Sequence, residues 1–145
     1  MELAFREAEK AYEKREVPVG AVVVYENKVI GRGHNLTESL QDPTAHAEIL
    51  AITAAAEYLG SRRLLDTRLY VTLEPCAMCA GAIVLARIPV LVYGAADPKS
   101  GACGSLMNVV QDERLNHRVE MVTGIMENRC SLILSDFFRK LRETN

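Results

Sequence analysis

The run Val19-Gly-Ala-Val-Val-Val-Tyr25 is apolar on both of its alternating faces. A strand with one face in water alternates apolar with polar residues, so a strand of this kind belongs inside a sheet covered on both sides. Helices are the expected cover, and the chain offers them. Residues 1–16 place Met1, Phe5, Ala8 and Tyr12 at helical spacing among charges, until Val17-Pro18 ends the helix. Lys28-Val-Ile-Gly-Arg-Gly-His34 follows the first strand after Glu26-Asn27, a polar connection that suits a hairpin. Thr44, in Asp42-Pro43-Thr44, is placed to cap an alanine-rich helix that runs to about Leu59 and stops at Gly60. Arg68-Leu-Tyr-Val-Thr72 reads as a strand; Pro75 suits the first position of a helix through about Arg87, which Ile88-Pro89 interrupts. Val90-Leu-Val-Tyr93 and Arg118-Val-Glu-Met-Val122 supply two more strands, and a turn-rich loop from Gly94 to Gly101 follows the first of them. Leu134, Phe137, Phe138 and Leu141 form one stripe of a closing amphipathic helix. Strands linked by such helices require some parallel pairing, so the expected architecture is a three-layer α/β/α sandwich around a mixed five-stranded sheet.

Residues 1–145 are expected to form a single domain. A chain of 145 residues removes roughly 68–70% of its unfolded surface from water. Apolar residues at 49% and charged residues at 25% exclude disordered and collagen-like classes. The longest strictly apolar or glycine run, Cys76 to Ala86, is far too short to span a bilayer, and the first residues contain no apolar signal core. No membrane association is therefore expected, and the expected address is the cytoplasm. With 17 basic and 19 acidic side chains the formal charge is −2, so any nucleic-acid partner must meet a local basic patch. Four cysteines, two of them spaced Cys-x-x-Cys, point to metal or redox chemistry.

His46-Ala-Glu48 and Pro75-Cys76-Ala-Met-Cys79 each open a predicted helix. Cys76 and Cys79, three apart, share a helix face and can grip one ion, while the positive helix end favours thiolates. Two thiolates and a neutral imidazole balance the charge of Zn²⁺ and fill three of its four tetrahedral positions, the fourth being open to water. Glu48 is badly spaced to join His46 as a ligand in mid-helix, yet at a helix start both point toward one site. Zinc lowers the pKa of a bound water to about 7, and a neighbouring carboxylate can shuttle the proton. Two other readings stand beside this one. Cys76-x-x-Cys79 is a redox dithiol, which explains neither His46 nor Glu48, or Cys103 closes the site as a fourth thiolate, which leaves Glu48 without a task. Cys130 reads as a small buried hydrophobe, Met78 and Met107 as core filler, and His34 and His117 have no spacing partner.

The pair of motifs resembles the signature of the zinc nucleoside and nucleobase deaminases. Wider blocks narrow the resemblance: Arg15-Glu-Val-Pro-Val-Gly-Ala21, Asp42-Pro-Thr-Ala-His-Ala-Glu48, Tyr70-Val-Thr-Leu-Glu-Pro-Cys76, Gly104-Ser-Leu-Met107, Asn116-His-Arg-Val119 and Leu134-Ser-Asp-Phe-Phe138. Together they are similar to the bacterial tRNA-specific adenosine deaminases, over nearly the whole chain. The resemblance implies a cytidine deaminase-like fold and hydrolysis of the wobble adenosine of a tRNA anticodon stem-loop to inosine, by a zinc-activated water. It implies His46, Cys76 and Cys79 as ligands of one zinc per subunit, Glu48 as acid/base, and a homodimer. It also implies that Asn35 contacts the flipped nucleotide, that the Val17-Pro18-Val19 segment helps wall the base, and that the Ala47 N–H holds the base or the developing charge. Asp97, Lys99, His117, Phe138 and Arg139 are similar to residues that contact the anticodon loop.

Several of these residues have a plainer reading from the sequence itself. Asn35 and Asp97-Pro98 are ordinary turn formers, Phe138 falls on a core stripe, and Arg139, Lys140 and Arg142 read as the solvated face of a helix. Two alternative functions also remain at this point: a deaminase of free bases or nucleosides, and a zinc-stabilised RNA-binding module without catalysis.

Overall fold

In a computed structural model of the chain, which describes residues 1–144, Gly20–Tyr25 is strand β1 and lies inside a five-stranded sheet. Helix α1, Glu2–Glu13, precedes it. Strand β2, Lys28–His34, helix α2, Thr37–Leu40, and helix α3, Ala47–Leu59, follow it. Strand β3, Thr67–Leu73, helix α4, Ala77–Ala86, and strand β4, Val90–Ala95, complete the centre. Strand β5, Glu120–Val122, and helix α5, Glu127–Glu143, close the chain. The sheet order is β2-β1-β3-β4-β5. β1 is antiparallel to both neighbours, while β3, β4 and β5 run parallel. The sheet is mixed, as expected.

Both faces of β1 are covered. Gly20 faces α1 so closely that a Cβ there would sit 2.1 Å from the Ala4 carbonyl oxygen. On the other face, Gly31 and Gly33 of β2 let α3 lie directly on the strand, where a Cβ would come within 2.3 Å of the Ala51 and Ala47 oxygens. The alanine-rich sequence of α3 is the other half of this fit: Ala47, Ala51 and Ala55 recur every fourth residue and are fully buried. The result is the three-layer sandwich, the cytidine deaminase-like arrangement. The Glu26-Asn27 connection is a two-residue hairpin turn with both residues at positive φ, 51° and 62°, the conformation that matches strand twist.

Helix ends depart from expectation for local reasons. α1 stops at Glu13 because Arg15 turns left-handed, φ 61°, and the Glu16 N–H bonds back to the Ala11 carbonyl. Thr44 caps nothing: its N–H and hydroxyl both bond Asp42 Oδ1, so α3 begins only after His46. Pro75 likewise stays outside α4, with Cys76 in the capping position. The stripe of α5 is narrower than expected. Phe137 and Cys130 are buried, but Phe138 is 41% exposed and Leu141 also faces out. Met78 and Met107 are exposed rather than core residues. The carboxyl ends of β3 and β4 share one sheet edge, where the segments after Leu73 and Ala95 emerge.

Candidate active site

α3 and α4 start at that edge, and each starts on a candidate ligand. His46 and Cys76 occupy the capping positions in extended backbone, and neither helix start has a side-chain cap. The first N–H groups therefore present a positive end to the site. Cys79 stands in the first turn of α4. The Cys76 and Cys79 sulfurs lie 3.6 and 3.5 Å from His46 Nδ1, and the three donor atoms lie within 4.8 Å of one another. Zinc bonds of about 2.3 Å to sulfur and 2.0–2.1 Å to nitrogen, at a tetrahedral angle, put those atoms roughly 3.5–3.6 Å apart. The side chains present fit a zinc ion in chemistry and in spacing.

Cys103 is not a member of this group. It is buried, burial pushes its thiol up to about 12, and its N–H donates to Glu74 Oε2 at 3.0 Å. Among the described residues the donor set therefore stays at three, without the fourth thiolate that would close it. Cys76 is drawn down to about 3 by its hydrogen bonds with Cys79 and His46, while Cys79 is pushed up by Cys76 and by burial. Its hydrogen bond to Cys76 raises His46, and burial raises Glu48.

These groups floor a cleft of about 280 Å³, close to the lower bound of roughly 300 Å³ for ligand pockets. Val17, Asn35, Ala47, Glu48 and Asp97 all line it with His46 and Cys76, and Cys79 lies buried behind them. Asn35 keeps its turn role: its N–H donates to the Val19 carbonyl, and its side-chain oxygen accepts from the Thr37 N–H at 3.3 Å. Its NH₂ group remains for a ligand. Of the Val17-Pro18-Val19 segment, Val17 and Val19 line the cleft, while Pro18 is buried and does not. Lys99 stands on the exposed rim, its N–H bonded to Asp97 Oδ1. Phe138 and Arg139 lie on α5, which packs beside α1 through an edge contact of Phe137 with Tyr12. Arg139 is paired with Asp136 and Glu143, and Lys140 with Asp136, so the basic face of α5 carries its own acidic partners.

His117 corrects an expectation. Its Nε2 bonds the Ile88 carbonyl at 2.7 Å, just before β4 begins, at the sheet edge opposite the cleft. The 24-residue stretch from 96 to 119 carries it from one end of the sheet to the other. Thr37, Leu73, Glu74 and Ser100 also line the cleft and were not among the sequence candidates; Glu74, the charged one, stands two positions before Cys76 in one of the quoted blocks. It is 2% exposed, and hydrogen bonds from the Ser105 hydroxyl and three backbone N–H groups outweigh burial and hold its carboxyl below the usual range.

A donor set of one imidazole and two thiols, with a buried carboxyl beside it on this sandwich, defines a deaminase. A family model described as MafB19-like deaminase matches residues 1–142. The tRNA-specific adenosine deaminase of Bacillus subtilis (strain 168) is 54% identical over 143 residues, 99% of this chain and 89% of that protein. A solved structure from studies of A-to-I editing by tRNA:A34 deaminases at the wobble position of transfer RNA is 49% identical. It superposes with a TM-score of 0.89, covering 92% of this chain and 97% of that one. A guanine deaminase from Nitrosomonas europaea, 22% identical, TM-score 0.79, covering 92% of this chain and 80% of that one, shares the fold alone. The chain belongs to the family of tRNA-specific adenosine deaminases.

Proposed function

We propose that this chain hydrolyses adenosine at the wobble position of a tRNA anticodon stem-loop: water forms a bond to C6, the C6–N bond breaks, and adenosine and water become inosine and ammonia. The observation that carries the reading is the buried Glu48 carboxyl beside an open His46, Cys76, Cys79 donor set on the floor of a narrow cleft. The relatives supply the substrate. One zinc per subunit, held by those three residues, would supply acidified water as nucleophile near neutral pH. Glu48 carries the proton: burial lets its carboxyl hold one above the ordinary range, next to the place where ring nitrogen and leaving amine must be protonated. The Ala47 N–H, first in α3, is free of helical bonding, and Ala47 lines the cleft, so this N–H is a donor for the base or for developing negative charge. Asn35 NH₂ and Val17 orient the base, and the Asp97 segment forms the outer wall. An unpaired loop base enters such a cleft at lower cost than one in a duplex. Lys99, Phe138 and Arg139 extend the contact to the rest of the loop, the exposed Phe138 ring offering a stacking face.

The domain acts as a homodimer in the cytoplasm. α4 supports the dimer, being apolar all round, the character of a helix covered on every side, yet its Met78 and Leu85 are exposed and a Cβ at Gly81 would meet nothing. Exposed Leu106 and Met107 extend the uncovered apolar surface. Light scattering should give twice the chain mass. The function is tested on an anticodon stem-loop and on free adenosine and guanine: mass spectrometry should show a gain of about one dalton at the wobble adenine. Conversion of the free compounds alone would overturn the assignment.

A further inference from the structure

Glu74 makes more contacts than a buried carboxylate needs for its own comfort, and they all go to one loop. Oε1 accepts from the Asp97 N–H at 3.0 Å and the Ser105 hydroxyl at 2.5 Å; Oε2 accepts from the N–H groups of Cys103 and Ser105, each at 3.0 Å. One side chain thus gathers residues 97, 103 and 105 around the segment that carries Cys76. The fit is close: a Cβ on Gly101 would fall 2.3 Å from Oε2 and 2.5 Å from the Asp97 carbonyl oxygen. Asp97, tied by its N–H, and Ser100 line the cleft opposite His46 and Glu48.

We infer that Glu74 is a positioning residue for substrate recognition: its carboxylate fixes the Asp97–Ser105 loop as the outer wall of the cleft, independently of the donor set and Glu48. The inference rests on the deaminase reading above and adds the residue that shapes the wall. Independence follows from the backbone. Glu74 N–H bonds the Ala95 carbonyl at the end of β4, outside the loop, so the ligand segment keeps this anchor whatever side chain stands at position 74. His46 and Glu48 are set by the start of α3, whereas the side-chain hydrogen bonds of Glu74 go to residues 97, 103 and 105.

Glu74→Gln separates the two roles. An amide has one acceptor end and one donor end. With NH₂ in the Oε2 place it would oppose two backbone N–H groups, from Cys103 and Ser105; in the Oε1 place it opposes only the Asp97 N–H, because the Ser105 hydroxyl can turn to accept. The second orientation costs less, so the substitution should release Asp97 and keep Cys103 and Ser105 tied. In the zinc-loaded variant, amide exchange at Asp97 is expected to accelerate by about tenfold or more, while Cys103 keeps its protection. KM for the stem-loop should rise about 10- to 100-fold, with kcat within about threefold and zinc stoichiometry unchanged. Unchanged exchange at Asp97, an unchanged KM, or a fall in kcat alone would overturn the inference. Wild-type protein runs in parallel; its failure to convert the stem-loop would sink the function, whereas its success beside an unaltered variant sinks only the role of Glu74. If Glu74→Gln does not fold, Ser105→Ala decides, since Ser105 is exposed and the carboxylate remains. There KM should rise about threefold at constant kcat, and no change in KM overturns the inference.

Discussion

Glu48 and Glu74 line one cleft, are 4% and 2% exposed, and differ in acid strength in opposite directions. Glu48 sits in the first turn of α3 beside His46 and Cys76, where burial dominates and raises its pKa. Glu74 meets four donors from the facing loop, which overcome the same burial and lower it. Burial favours the protonated form of one carboxyl, and hydrogen bonds favour the charged form of the other. Two carboxyl groups whose surroundings drive them apart are the usual mark of divided labour in an active site. On the proposed reading, the wall made of helix starts does chemistry and the wall made of loop holds shape.

Glu48→Gln should break the chemical wall most severely. The amide keeps volume and burial but cannot shuttle a proton, so turnover should fall by about 10²–10⁴-fold or more with zinc content unchanged. Metal analysis alongside single-turnover rates checks this. Retained turnover would remove Glu48 as the proton carrier, whereas stem-loop binding without turnover in the wild-type protein would favour the non-catalytic RNA-binding alternative. Asn35→Ala comes next. It removes the NH₂ that faces the cleft along with the oxygen that accepts from Thr37 N–H, so kcat/KM should fall about 10- to 100-fold, again with zinc in place.

Those two residues also mark what the sequence could and could not reveal. The gathering of His46, Cys76, Cys79, Glu48 and Asn35 at one cleft was legible because their side-chain types stand at short spacing next to predicted helix starts. β1 was legible because apolar residues on both faces demand two covering layers. Thr44 misled because Asp42, two residues earlier, captures its N–H and hydroxyl in a local turn. His117 misled because its motif neighbourhood says nothing about which end of the sheet a long crossover reaches. Glu74 stayed silent because its donors come from 23 to 31 residues away, a relation that only the fold creates. Glu16 was silent for the same reason, its carboxylate accepting from N–H groups at Glu38 and Ser39, 22 and 23 residues on.

Glu16 offers a fixed-charge control away from the chemistry. It is fully buried; burial would raise its pKa, but the Ser39 hydroxyl and the Ser39 and Glu38 N–H groups lower it below the ordinary 4.5. A depressed carboxyl stabilises the fold above its unfolded pKa and loses that contribution as pH falls through the folded value. Glu16→Gln should therefore cost about 1–3 kcal/mol near neutrality, and the difference from wild type should shrink in denaturation measured below pH 4.5. A gap independent of pH would show that packing, not charge, holds α2 over the cleft. Lys99→Ala and Arg139→Ala should have smaller effects still, each weakening stem-loop binding severalfold and flattening its salt dependence by about one unit of slope, without touching zinc. Arg139 must exchange Asp136 and Glu143 for phosphate, so its effect should be the weaker of the two.

The least change is expected from Cys103→Ser, and that makes it informative about the chemical wall. The thiol is buried near Glu74 and raised to about 12, so it is neutral and has no proton to surrender cheaply to a metal. Its N–H, not its sulfur, serves the loop, and serine preserves that N–H. Replacing sulfur by a hydroxyl in an apolar setting should lower stability by about 1 kcal/mol, while zinc stoichiometry and kcat hold. Loss of the metal in Cys103→Ser would mean that sulfur reaches the fourth coordination position. Water would then be shut out, and the contrast between a proton-carrying Glu48 and a shape-holding Glu74 would lose its first half.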